Sequence, residues 1–165
     1  MSSWRTRSHA LAVIKNKYFD GNLNPDKIAV AALFHDTAEI ITGDLPTPIK
    51  YQNAELKEAY KKVEADATER LLSLLPDDLK NIYEPYYKIE DIDKEASAVV
   101  KSADKLSAYI KCLEEQKSSN KEFEKARLTI KESLEERRKL YPELDYFMEN
   151  YLNTFALTLD ELERE

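Results

Sequence analysis

The run Ile28-Ala29-Val30-Ala31-Ala32-Leu33-Phe34-His35-Asp36-Thr37-Ala38-Glu39-Ile40-Ile41 decides the fold class and points to the chemistry. Asn24-Pro25 stands just ahead of it, a side-chain cap followed by the residue best tolerated at a first helical position, so the pattern predicts a helix from there through to Ile41. A helix that is apolar nearly all round belongs in the interior of a protein. The polar groups it carries, His35, Asp36 and Glu39, then need partners or a metal to be tolerated there.

Outward from this segment the helical period continues in both directions. Ala10, Leu11, Val13, Ile14 and Tyr18 recur at helical spacing over Ser8 to Phe19, and Gly21 is the expected left-handed terminator. Downstream, Thr42-Gly43-Asp44-Leu45-Pro46-Thr47-Pro48 cannot continue a helix, because Gly43 favours turn geometry and two prolines break the hydrogen-bond ladder. A long amphipathic helix follows from Asn53 to Leu75, with Leu56, Tyr60, Val63, Ala67, Leu71 and Leu74 on one face. Pro76-Asp77 opens a short helix to Tyr83. The next begins near Asp91 or Asp93 and carries Ala96, Val99, Val100, Ala103, Leu106, Tyr109 and Leu113, with Asp104 set inside this apolar run. Ser118-Ser119-Asn120 is a linker and cap for a helix to Leu140, Pro142 starts another, and Thr158-Leu159-Asp160-Glu161 has the spacing of a capping box. With 2 Gly and 6 Pro in 165 residues there are few tight turns for a β protein, and every predicted element is helical: the chain is an all-α domain.

The length suits one domain with one core. The 25 Lys and Arg against 32 Asp and Glu give a formal charge of -7, which repels a nucleic-acid polymer as a partner. No apolar run reaches the roughly 18 residues of a membrane span, and Met1 to Ala10 carries no apolar signal core, so a cytoplasmic protein without a membrane partner is expected. The single cysteine, Cys112, cannot form an internal disulfide and reads as a packed thiol. His9 reads as a packing residue, and Lys61-Lys62 and Arg137-Arg138 as solvated faces.

On a regular helix His35 and Asp36 lie about 100° apart and can reach one cation. Glu39 comes one turn after His35, where it could hold a water on the same ion. Imidazole and carboxylate together suit a divalent transition metal or magnesium, and Asp104 from another helix would complete the set. Each residue also has a plainer reading. A histidine in an apolar helix is commonly a hydrogen-bonded core residue, and Asp104 could simply pair with Lys101 or Lys105.

The string His35-Asp36-Thr37-Ala38-Glu39, with Thr42-Gly43-Asp44-Leu45-Pro46-Thr47-Pro48 and Lys101-Ser102-Ala103-Asp104-Lys105-Leu106 after it, resembles the HD-domain phosphohydrolases, and closely their YfbR-type 5'-deoxynucleotidase branch. Similarity extends over His9 to Tyr51, Tyr109 to Glu115 and Asp145 to Glu149. The resemblance implies a compact HD-domain helical bundle spanning 1–165. In it a divalent metal ion (cobalt, manganese, magnesium or zinc) is held by a histidine, a His-Asp pair and a distant aspartate. It also implies hydrolysis of a small-molecule deoxyribonucleoside 5'-monophosphate by a homodimer. His35, Asp36 and Asp104 match the metal ligands, Glu39 the acidic residue near the attacking water, and Asp44, Leu45, Pro46 and Thr47 the loop that contacts the nucleotide.

The family's first metal histidine would fall just before Met1, so the domain is expected to be N-terminally truncated relative to the family, with impaired activity. The alternative reading is a catalytically silent helical domain that binds nucleotide or a protein partner through an incomplete metal site.

Overall fold

The computed structural model describes residues 4–43, 53–117 and 122–153. Among the described residues the regular elements are helices: α1 (Trp4–Tyr18), α2 (Pro25–Phe34), α3 (Glu39–Thr42), α4 (Ala54–Ser73), α5 (Asp77–Tyr87), α6 (Ile89–Ile92), α7 (Lys94–Lys117), α8 (Glu122–Arg138) and α9 (Pro142–Tyr151). The all-α expectation holds. Asp44 to Thr47, the Ser118 to Asn120 linker and the Thr158 capping box lie outside the described residues.

Local signals account for most helix ends. Asn24 Oδ1 accepts a hydrogen bond from Lys27 N at 2.9 Å, the expected cap of α2. Asn53 caps α4 in the same way, accepting from Leu56 N at 2.7 Å. Pro142 takes the first position of α9. At the end of α1 the left-handed residue is Asp20, at φ 52°, rather than Gly21. Gly21 is required for another reason: a Cβ there would sit 2.8 Å from Lys15 Cγ and 2.9 Å from Asn16 Oδ1. The chain can therefore fold back against α1, where the Asn16 side chain holds Leu23 through both its backbone groups.

Two compact units divide the chain. The first comprises Met1–Ala29 and Glu95–Glu165, and its buried apolar side chains come from α1 (Leu11, Ala12, Ile14), α7 (Val99, Val100, Ala103, Leu106, Tyr109, Ile110), α8 (Leu134) and α9 (Leu144, Phe147, Met148). Cys112 is buried among the α7 residues, as a packed thiol should be. Tyr18 stacks on Tyr146 at 4.8 Å between ring centroids, joining the end of α1 to α9. Arg137 and Arg138 are not the solvated face their charge suggests. Arg137 donates to Ser102 Oγ at 3.2 Å and Ala98 O at 3.1 Å, tying α8 to the stretch of α7 that leads to Asp104. Arg138 pairs with Asp145 and with Glu149, tying α8 to α9, and the Asp145 hydrogen bond raises its pKa.

The second unit, Val30–Lys94, holds the end of α2 together with α3 to α6. Lys88, just beyond α5, pairs with Glu69 on α4 and with Glu84 at 2.7 Å, and so staples these helices together. The α4 stripe is only partly buried. Ala67 and Leu72 are covered, whereas Val63 is half exposed and Leu74 is 75% exposed. The single turn α6 and the continuation of α5 through Pro85 to Tyr87 go beyond the predicted end at Tyr83.

Candidate metal centre

The predicted unbroken helix from Pro25 to Ile41 is the main correction. α2 stops at Phe34, residues 35–38 form a turn, and α3 begins at Glu39. The cause is local competition for carbonyls. Thr37 gives both its backbone N–H (3.2 Å) and its hydroxyl (2.6 Å) to Phe34 O, so the ladder tightens from four-residue to three-residue spacing. Glu39 N to Asp36 O and Ile40 N to Thr37 O continue that tighter pattern, at 3.0 and 3.1 Å. His35 and Asp36 therefore sit on a turn at a helix end, and the 100° and one-turn relations of a regular helix do not apply to them.

The turn brings the two side chains together directly. His35 is only 11% exposed at its side chain, Asp36 about half, and His35 Nε2 lies 2.9 Å from Asp36 Oδ1. The other ring nitrogen, Nδ1, is 3.2 Å from Ala32 O. A carbonyl only accepts, so Nδ1 carries a proton in that bond, and in the neutral ring the Nε2 lone pair faces the carboxylate. Two acceptors at this distance repel unless a positive charge is shared between them. A divalent ion meets that need: adjacent ligands, each about 2.1 Å from an ion and at right angles, stand about 3 Å apart. The donor set and its spacing fit a metal, and the Ala32 carbonyl supplies the partner that orients a metal-binding imidazole.

Glu39 opens α3, half-buried, and Gly43 closes it at φ 72°, the turn geometry expected of that glycine. Tyr60 of α4 donates to Gly43 O at 2.8 Å and so fixes the end of α3. Asp104 is in the first unit, half-buried on α7 between the buried residues Ala103 and Leu106. His9 on α1 is half-buried, with its Nε2 3.4 Å from Asp26 Oδ1.

Sequence reasoning missed the surroundings of Phe34. Its ring lies against Tyr87 (4.9 Å between centroids), Tyr83 (5.6 Å) and Tyr86 (6.3 Å), all from α5. The signal was present in the spacing, since tyrosines at i, i+3 and i+4 share one helix face.

An all-helical fold with an imidazole and a carboxylate paired at the end of an apolar helix is that of the HD-domain phosphohydrolases. A crystal structure of one from Listeria innocua superposes with a TM-score of 0.78, over 97% of this chain and 76% of that one at 21% identity, which is a likeness of fold. More specifically, the model of the YfbR-like 5'-deoxynucleotidase family matches residues 4–155, and the chain belongs to that family. Relatives named 5'-deoxynucleotidase from Vibrio atlanticus and Vibrio cholerae are each 48% identical over 155 residues, 94% of this chain and 79% of theirs. 5'-Deoxynucleotidase YfbR of Shigella flexneri is 44% identical over 158 residues, 96% of this chain and 78% of its own. These likenesses favour a phosphoric monoester hydrolase over a silent binding domain.

Proposed function

We propose that the protein hydrolyses deoxyribonucleoside 5'-monophosphates to deoxynucleoside and inorganic phosphate with a divalent metal ion, and that His35, Asp36 and Asp104 hold that ion. The observation that carries the reading is the His35–Asp36 pair, an imidazole nitrogen and a carboxylate oxygen 2.9 Å apart in a chain of this family. When bound, the ion supplies an acidified water and screens the phosphate charge.

Glu39 is the acid–base residue in this reading. Its carboxylate accepts a proton from the attacking water as a P–O bond forms, and the P–O5' bond breaks to release the sugar alkoxide, which takes up a proton. The loop Asp44, Leu45, Pro46 and Thr47 contacts sugar and base, with the Asp44 carboxylate accepting from a sugar hydroxyl. The chain acts as one HD-type domain. A formal charge of -7 favours a mononucleotide over a polymer.

Manganese, cobalt, magnesium and zinc are the candidate ions, all compatible with nitrogen and oxygen donors. A homodimer is the proposed assembly, as the family resemblance implies. Among the described residues no helix is long and apolar enough to cross a membrane, and the lone buried thiol suits the cytoplasm proposed as the address.

The test is phosphate release from a panel of deoxy- and ribonucleoside 5'-monophosphates and from single-stranded DNA, each with and without Mn2+ or Co2+. Metal-dependent release from deoxynucleotides, lost in His35→Gln and Asp104→Asn, is the expected result. Metal binding with no release from any mononucleotide, or faster release from DNA, would overturn it.

A further inference from the structure

The turn that carries His35 and Asp36 joins α2 to α3. Its backbone hydrogen bonds run back to the end of α2 and on into α3: the Phe34 carbonyl receives both groups of Thr37, and the Asp36, Thr37 and Ala38 carbonyls accept from the backbone of Glu39 to Thr42. Displacement of Phe34 therefore displaces the turn at its α2 end, where His35 and Asp36 sit. The Phe34 side chain is held from a different helix, by the three-tyrosine face of α5. That face is itself fixed, because Lys88 ties the end of α5 to Glu84 and to Glu69 of α4. A continuous series of contacts within one unit thus runs from the α4–α5 staple through the tyrosines and Phe34 to the paired imidazole and carboxylate.

We propose that this aromatic clasp, Tyr83, Tyr86 and Tyr87 around Phe34, positions the His35–Asp36 pair and thereby sets the protein's affinity for its divalent ion. The inference rests on the metal-binding role given to the pair above. Its physical basis is tolerance: ligand distances must fall within about 0.2 Å of their preferred values, so a pair on a loosened turn samples the binding geometry for a smaller fraction of the time. Ring contacts suit this task because an aromatic side chain has two torsions and stays rigid once packed. The four residues are positioning residues. They act on affinity, and once the ion is bound the turn is held by the ion itself.

The experiment measures Mn2+ binding to the purified full chain by electron paramagnetic resonance, beside turnover of a deoxynucleoside monophosphate as Mn2+ is raised to saturation. Phe34→Leu keeps an apolar side chain and loses the ring; Phe34→Tyr keeps the ring. Phe34→Leu is expected to weaken Mn2+ about 10-fold or more, the scale seen when groups supporting metal ligands are removed, while kcat at saturating Mn2+ stays within about 3-fold of wild type. Phe34→Tyr should bind Mn2+ within about 2-fold of wild type. If Phe34→Leu does not fold by circular dichroism, Tyr87→Leu, which alters only α5, is the substitute and should weaken Mn2+ at least about 3-fold. Unchanged Mn2+ affinity in whichever of these variants folds, an equal loss in Phe34→Tyr, or a fall in kcat that saturating Mn2+ does not restore would overturn the proposal. A wild-type chain that binds no Mn2+ would instead refute the metal-binding reading on which it rests.

Discussion

Replacing Asp36 by Asn separates a metal site from a hydrogen-bonded core histidine. In the wild-type chain Nδ1 of His35 is engaged by Ala32 O, and Nε2 meets the Asp36 carboxylate at 2.9 Å. In the neutral imidazole Nε2 faces the carboxylate as a second acceptor, a contact that a bound metal relieves. The introduced side-chain amide would give Nε2 an N–H donor in place of an anionic oxygen. A neutral hydrogen bond contributes about 1 kcal/mol at most at this half-exposed position.

At about 2–4 °C per kcal/mol for a chain of this size, metal-free Asp36→Asn should melt level with metal-free wild type or up to about 4 °C above it. Added metal should reverse the order. Mn2+ at 100 times its Kd stabilises wild type by about 2.7 kcal/mol, or about 5–11 °C, and should leave Asp36→Asn nearly unmoved. Differential scanning fluorimetry in EDTA and in Mn2+ reads all four values. A variant that keeps the full Mn2+ shift, or one that melts several degrees below wild type in EDTA, would refute the reasoning.

Glu39→Gln should lower kcat about 10²–10⁴-fold with Mn2+ affinity close to wild type, and a parallel loss of both would make Glu39 a ligand rather than an acid–base residue. Leu106→Ala empties a side chain that is 0% exposed in the first unit. It should cost about 3 kcal/mol, roughly 6–12 °C in melting temperature, and a drop of under 2 °C by calorimetry would mean that the site collapses around the gap. Lys88→Met should destabilise the protein at neutral pH and progressively less in acid. The hydrogen bond from Lys88 lowers the Glu84 pKa from its ordinary 4.5, so that pairing stabilises above the unfolded value and is lost as pH falls through the folded one. Lys88 itself is raised from 10.5, first by Glu69 and then by Glu84, and its contribution is lost only as pH climbs through that raised value. Urea melts that give the same gap between variant and wild type at pH 3 and pH 7 would count against this assignment.

The all-helical class and most helix starts were legible in the sequence because they rest on short-range physics. Asn24 and Asn53 cap the first turns that follow them, Pro142 occupies a position where its missing N–H costs nothing, and the apolar period of α7 appears as buried side chains. The His35-Asp36 motif could be read for the same reason: adjacent residues are near each other in any fold. The break after Phe34 could not be read from periodicity, because the apolar pattern runs on while Thr37 takes the Phe34 carbonyl out of the helical ladder. Nor could the fates of arginines and tyrosines. Whether Arg137 and Arg138 point to water or to Ser102 and Asp145, and whether Tyr83, Tyr86 and Tyr87 find Phe34, depends on which helix lies opposite. Composition and spacing determined what each helix had to bury. Only the tertiary structure decided what it was buried against, because long polar and aromatic side chains take their environment from residues distant in the chain.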